Sequence, residues 1–555
     1  MASRSQKNKI IVYQLLPRLF AKNKPLQQRP FGSLQENGCG KMNDISAAVL
    51  KRLKMLGTTH VWYTGIIRHA SATDYTAYGI PTQHPLVVKG KAGSPYAIVD
   101  YYDIDPDLAE DVNQRKQEFQ ALVERTHRAG LKVIIDFVPN HVAREYHSVA
   151  RPEGIVDLGA DDDKTTAFSP QNNFYYLPTE TFAPTFDIGD YNETPARATG
   201  NDCFHAHPNE YDWYETIKLN YGCPPLCTHL ADMPTPQAPL STWKKMADIL
   251  HHWAGYGIDG FRCDMVHMVP IQFWQWVIPK LKSSHPHLLF IGETYSPELY
   301  RPLLQAGFDM LYDKVDMYDT LMAVAKNEAA THDITRAWQH TDDIAEHMLS
   351  FIENHDETRL ASEFLLGNPY KAMPALLVAL CLRTNPFLLY FGQEIGEDGM
   401  QTEGFSQLDG HTSIFDYWCL MSTHSAYFAR RSMRKHQRQV EQAYQRLLNI
   451  AKDMPAIVEG TMFDLMYVNP HLTRQFAFFR QHRKQLLLCV ANFDCQTCDT
   501  DIHIPAHAID YLGIKEGDYK GTDLIDGTTS NLHLQSEGNI LIDMPAYGTR
   551  IIKIG

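Results

Sequence analysis

The 555-residue chain has no apolar run approaching the roughly 20 residues of a membrane span. It also has no excess of positive charge. Lys and Arg number 51 against 65 Asp and Glu, a formal net charge of −14. That balance disfavours nucleic acid as the main partner and suits a neutral one, although it also serves solubility alone. No Gly-rich phosphate fingerprint follows the first strand-like run, Ile10 to Leu16, which argues against an open dinucleotide-binding sheet. That run is short and has no small-residue cleavage site after it, so it reads as a strand rather than a signal peptide, and a cytoplasmic location is expected. No internal repeat or low-complexity tract stands out. The ten cysteines form no metal framework: Cys495-x-x-Cys498 and Cys223-x3-Cys227 each want a second matching pair. Reduced thiols are expected, with Cys263, Cys381 and Cys489 in apolar settings.

What is present is alternation. Hydrophobic residues make up 44% and charged residues 21%, a globular balance, and the length predicts two or three domains. Strand-like runs occur at Ile10–Leu16, His60–Tyr63, Leu131–Val138, Gly260–Asp264, Leu288–Ile291, Met310–Tyr312, Met348–Ile352 and Phe387–Phe391. Helical spacing intervenes at Ile45–Leu56 (Asn43 or Asp44 as cap, Gly57 as stop), Val112–Arg128, Trp243–Tyr256 and Gln272–Lys282. Eight such units predict an α/β fold, a (β/α)8 TIM barrel, over residues 1–141 and 237–454. Residues 142–236 break the pattern with Pro, Asn, Asp and Thr, and predict an inserted irregular domain after the third strand. Residues 455–555 carry short strand patterns, such as Gln475–Arg480 and Gln485–Asn492, and predict a C-terminal all-β sandwich.

Residues closing the strands of such a barrel face its active site. Arg262 and Asp264 lie two apart on the fourth strand and so point to one side. The arginine would keep Asp264 ionised, as a nucleophile toward an anomeric carbon requires. Glu293 closes the fifth strand after an apolar run, and partial burial near other carboxylates would raise its pKa for general-acid work. Asp356, after the seventh strand, could stabilise positive charge developing on a sugar ring, with His141 and His355 donating to hydroxyls. Taken singly, each is an ordinary cap or ion pair; the ordered set on strands three, four, five and seven is the signal.

Four blocks carry a resemblance. Asp136-Phe137-Val138-Pro139-Asn140-His141, Gly260-Phe261-Arg262-Cys263-Asp264, Gly292-Glu293 and Asn354-His355-Asp356-Glu357-Thr358-Arg359 are similar to the conserved blocks of the alpha-amylase family, glycoside hydrolase family 13. The resemblance covers nearly the whole chain. It implies Asp264 as nucleophile, Glu293 as acid/base and Asp356 as transition-state stabiliser. It implies Arg262, His141, His355 and Arg359 around the sugar, and Tyr96 of Ser94-Pro95-Tyr96 as a stacking platform. Where relatives often carry Lys-His after the nucleophile, this chain has His267-Met268, leaving His267 as the candidate contact on the aglycone side. Asn140 matches a calcium ligand of many amylases, so a calcium site completed by acidic residues of the insertion is an expectation, with solvated acidic loops as the alternative. The implied activity is retaining hydrolysis of α-1,4 bonds in starch, glycogen or maltodextrins. A 4-α-glucanotransferase, a cyclodextrin- or maltooligosaccharide-specific hydrolase and a non-catalytic glucan-binding protein are the alternatives. The lack of an N-terminal β domain favours a plain amylase. The insertion's aromatics, Phe174, Tyr175, Tyr176, Trp213 and Tyr214, could stack on glucose rings or form its small core, and the core is expected for most of them.

Overall fold

The computed structural model describes residues 8–25, 27–225 and 235–555. Cys227 of the Cys223-x3-Cys227 pair lies outside them. Eight parallel strands form one sheet: β1 (Ile11–Leu15), β2 (His60–Tyr63), β3 (Lys132–Phe137), β4 (Gly260–Cys263), β5 (Leu289–Gly292), β6 (Met310–Tyr312), β7 (Met348–Leu349) and β8 (Phe387–Tyr390). Their order is β7-β6-β5-β4-β3-β2-β1-β8, and a Ser350–Phe387 bridge closes the ring. These strands are apolar and β-branched because the barrel interior covers one face and the helices the other. In β3 every residue after Lys132 is buried.

Register sets the site. Cys263 of β4 pairs with Phe137 of β3 and Gly292 of β5. Three strand ends therefore stand level, and the residues just beyond them (Asp264, Glu293 and the Asn140–His141 corner) rise from one rim. The outer helices include α1 (Ala47–Leu56), α2 (Arg115–Arg128), α3 (Ser241–Ala254) and α4 (Ile271–Ser284). The cap of α1 is Ser46, whose side chain accepts from Val49 N–H, and not the expected Asn43 or Asp44. Those two lie in a separate 3-10 turn, where Asp44 accepts from the Lys41 and Lys22 N–H groups instead. Gly57 ends α1 at φ 116°, a conformation open to glycine.

The insertion has little regular structure. A ribbon pairs His141–Ala143 with Thr216–Lys218, and another pairs Tyr176–Leu177 with Ala196–Arg197. One small apolar cluster there comprises Val87, Phe182, Ala196, Ala206 and Tyr214. After the barrel come β9 (Thr461–Asp464), β10 (Gln475–His482), β11 (Gln485–Asn492), β12 (Cys498–Ile504), β13 (Gly517–Asp523), β14 (Thr529–Leu534), β15 (Gly538–Met544) and β16 (Thr549–Ile554). They make a six-stranded sheet, β9-β10-β11-β16-β13-β14, and a β12–β15 pair, all antiparallel. The barrel meets them through helix α5 (Met373–Cys381), which is buried along its whole length and packs on β11 and β16. Among the described residues no helix is long and apolar enough to cross a membrane.

Candidate active site

A cavity of about 340 Å³ opens over the C-terminal ends of the barrel strands. Asp264, Glu293, Asp356, Tyr96, His141 and His355 line it, with Lys89, Trp213, Glu215, Tyr295, Ile414 and Phe415. Beneath them lies Arg262, fully buried. Its Nη1 donates to Asp264 Oδ1 at 2.8 Å, and its Nη2 forms an ion pair with Glu293 Oε2 at 2.7 Å. Nη1 is also 3.6 Å from Asp136 Oδ1, and Nε donates to the Tyr312 hydroxyl at 3.3 Å. The guanidinium sits about 5 Å from the rings of Trp62 and Tyr96. One cation thus serves three buried carboxylates while its flat faces rest on aromatic rings.

The two central carboxylates are not held alike. Glu293 also accepts from the Tyr295 hydroxyl at 2.7 Å and from Met265 N–H at 3.0 Å. Met265 presents that amide from a left-handed conformation, φ 44°, immediately after Asp264. Burial alone would raise Glu293, but Arg262, Tyr295 and the Met265 amide outweigh it and hold its carboxyl below the ordinary glutamate range. Among the described residues only the arginine donates to the Asp264 carboxylate. Burial first, and the Glu293 charge second, push its carboxyl well above the usual aspartate range. This order is the reverse of the expected one, in which Asp264 was ionised and Glu293 raised. The physical reason is that Arg262 serves both residues, while the extra donors reach only Glu293. Two carboxylates this close around one cation oppose each other's ionisation. Asp136, buried beside them, is pushed up to about 6 by burial against the pull of Arg262. Asp356 stands at the mouth with its side chain 43% exposed. Burial and then the Glu293 charge raise its carboxyl, and water reaching it moderates the rise.

The histidines are neutral. Burial first, reinforced by Arg262 for His355 and by Lys218 for His141, pulls each down to about 3. The Gln14 amide lies 2.9 Å from His355 Nδ1, and the Tyr96 hydroxyl lies 2.6 Å from Nε2. With Gln14 donating to Nδ1, the network assigns the ring proton to Nε2. Tyr96 also stacks on the His355 ring at 5.2 Å.

Two expected contacts fall elsewhere. Arg359 does not line the cavity. Its Nη1 pairs with Glu353 Oε1 at 2.6 Å and donates to Phe391 O at 2.9 Å, and its Nε donates to Thr412 Oγ1 at 2.7 Å. It braces the ends of β7 and β8 from below. His267 is not among the lining residues, and its ring meets that of Tyr295 edge-on at 5.9 Å. The calcium expectation at Asn140 does not fit the residues present, because the Nζ of Lys218 bonds Asn140 Oδ1. Among the described residues no group of three or more His, Cys, Asp or Glu side chains could hold a metal ion.

Sequence reasoning missed several lining residues. Tyr295 lies two positions past Glu293, and that proximity is its signal in the sequence. Trp213 packs on the His141 ring at 5.2 Å and faces the cavity, whereas Phe174, Tyr175, Tyr176 and Tyr214 are buried. Lys89 and Glu215, paired at 3.1 Å, form part of the wall. Nothing in the local sequence separates them from surface charges.

Residues 14–455 match the model of the alpha-amylase catalytic domain. Alpha-amylase MalA of Haloarcula japonica is 25% identical over 398 residues, 71% of this chain and 45% of that protein. Neopullulanase 2 of Thermoactinomyces vulgaris is 22% identical over 404 residues, 70% of this chain and 57% of that protein. The chain thus spans about half the length of these curated relatives. The structure of an alpha-amylase from Geobacillus thermoleovorans complexed with acarbose superposes with a TM-score of 0.64 at 18% identity, covering 100% of this chain and 99% of that one. That likeness speaks for the fold, and the catalytic-domain match speaks for the lineage: the chain belongs to the alpha-amylase family.

Proposed function

We propose that this protein is a retaining glycoside hydrolase that cleaves α-1,4-glucosidic bonds of starch, glycogen or maltodextrins. The carrying observation is the fork of Asp264 and Glu293 on one buried guanidinium at the floor of an open cleft. Retention needs carboxyl groups about 5–5.5 Å apart, and a shared guanidinium supports that spacing better than the wider one that leaves room for water. Asp264 attacks the anomeric carbon while the bond to the leaving oxygen breaks and takes the proton of Glu293. A water then gives its proton to Glu293, adds its oxygen to the anomeric carbon and frees Asp264. A proton must therefore sit on Glu293 when substrate is bound. An oxygen of the sugar entering near Glu293 favours this, since it competes with Tyr295 and Met265 as a partner of that carboxyl. Asp356, open to the cleft, is placed to stabilise charge on the ring, and neutral His141 to donate to a hydroxyl, as His355 would once its Nε2–H leaves the Tyr96 hydroxyl. Free, buried thiols at Cys263, Cys381, Cys419 and Cys489 support a reducing, cytoplasmic setting.

The test is to incubate wild type and Glu293→Gln with maltoheptaose and follow the products by chromatography. Shorter maltooligosaccharides from wild type alone are expected, with the variant at least ~100-fold slower. Products longer than the substrate would instead indicate a glucanotransferase. Unchanged substrate with both proteins would sink the catalytic reading.

A further inference from the structure

Lys218 is 6% exposed and lies on the insertion strand directly opposite His141. Its ammonium has three N–H groups and meets three acceptors from three parts of the chain. These are Asn140 Oδ1 at the end of β3, Asp202 Oδ1 in the insertion at 2.8 Å, and the Met268 carbonyl, in the turn after the nucleophile, at 3.3 Å. Asn140 is itself fixed, since its Nδ2 donates to Gly200 O at 2.8 Å. The number of donors equals the number of acceptors, so the ammonium is satisfied inside the protein. A calcium ion needs six to eight oxygens at about 2.3–2.6 Å. The cage offers three, with one carboxylate among them, and its centre already holds a positive charge. A second cation there would face repulsion in a buried setting where charges are poorly screened.

We propose that Lys218 does the work of a divalent ion: a built-in cation that joins the insertion to the barrel rim and positions the nucleophile loop, so that the native protein takes up no calcium at this site. The tie reaches the chemistry through a short path. Met268 closes the turn Val266–Met268. Val266 N–H donates to Glu293 O at 3.0 Å, and the Met265 amide donates to the Glu293 carboxylate. On the other side Asn140 is next to His141. Lys218 touches no substrate in this account and is a positioning residue. A loop displaced by 1 Å is enough to cost a site of this kind a large part of its rate.

Metal content and Tm of the full chain give the first test, and neither needs substrate, so they stand apart from the glucan reading. Equilibrated with micromolar calcium and then separated from free ion, the protein should contain no stoichiometric calcium, and its Tm should be the same in EDTA and in millimolar calcium chloride. Stoichiometric calcium, or a Tm several degrees higher with the ion, would overturn the proposal, because an ion bound to the native state raises Tm by mass action. The second test is Lys218→Met, which removes the ammonium and keeps the length. Its Tm should fall and kcat should drop about tenfold or more with KM changed less, while Lys218→Arg should restore part of both. A Met variant with wild-type Tm and kcat would sink the idea. Should that variant fail to accumulate, Asp202→Asn, which weakens one arm of the cage, should lower Tm; an unchanged Tm would count equally against the tie.

Discussion

Arg144 in the insertion and Arg480 in the C-terminal sheet are both buried, yet they answer to different partners. Arg144 pairs with Glu193 at 2.8 Å, Glu193 pairs again with Arg197 at 2.9 Å, and the Arg144 guanidinium lies on the Phe182 ring. Lys89–Glu215 and Lys218–Asp202 add two more ion pairs around the insertion. Arg480 donates instead to four carbonyls, those of Leu382, Ala456, Ile457 and Gly460, at 2.8–2.9 Å. Around it Phe478, Leu487, Leu488 and Cys489 are fully buried. A segment poor in apolar residues is held by paired charges; in the C-terminal sheet Arg480 satisfies backbone oxygens within an ample core, and the Arg550–Asp523 pair lies at its side. The difference is chemical as well as energetic, because carboxylates titrate and carbonyls do not.

Arg144→Met should give the largest effect. It strands Glu193 with one partner, and breaking a buried pair costs about 3–5 kcal/mol. Hydrogen exchange should rise across the insertion, and kcat/KM on maltoheptaose should fall, since His141 and Trp213 sit on the affected segment. Unchanged exchange would remove the contrast between the two joints. Arg480→Met should lower Tm by several degrees through unsatisfied carbonyls, about 1–3 kcal/mol, with kcat/KM near wild type; an equal loss of activity would mean that the two joints act alike. Trp213→Ala should raise KM about tenfold, the scale of an aromatic contact of ~1–1.5 kcal/mol, and leave kcat within a few-fold.

Acid sharpens the comparison further. Burial would raise Glu193, but Arg144 and Arg197 overcome it and lower its carboxyl from 4.5 to about 2. The unfolded chain therefore binds the proton more readily, and this contribution to stability is complete above pH 4.5. It is lost as pH falls from there toward 2. Exchange in the insertion should accelerate over that range before exchange in the C-terminal sheet does. The smallest effect is expected from salt: molar sodium chloride should shift Tm little, because these pairs are buried and weakly screened.

The parts of this molecule that were legible in sequence are those fixed by local periodicity. An apolar run ending in Arg262-x-Asp264 states both the strand and the side it faces, and the eight runs give the barrel. The α1 cap was misplaced because Asn43, Asp44 and Ser46 are all good caps within four residues, and only the 3-10 turn decides among them. Arg359 could not be aimed from sequence, since Glu353 lies six residues before it and competes with the cleft for its charge. The proton order at Asp264 and Glu293 depends on Tyr295 and on a backbone amide in a left-handed turn, neither of which has a sequence period. Trp213 looked like its buried neighbours because a stretch of irregular chain carries no inside and outside.

The Arg262 fork has a consequence for how the proposed reaction runs. With substrate bound the proton sits on Glu293 and the charge on Asp264. In the glycosyl-enzyme Asp264 is a neutral ester, and Glu293, having given its proton away, is the anion. In both states this pair gives the guanidinium one negative charge, beside Asp136, and only the seat of that charge changes. A fixed cation between two alternating anions need not move, and its surroundings need not reorganise, as the turnover proceeds.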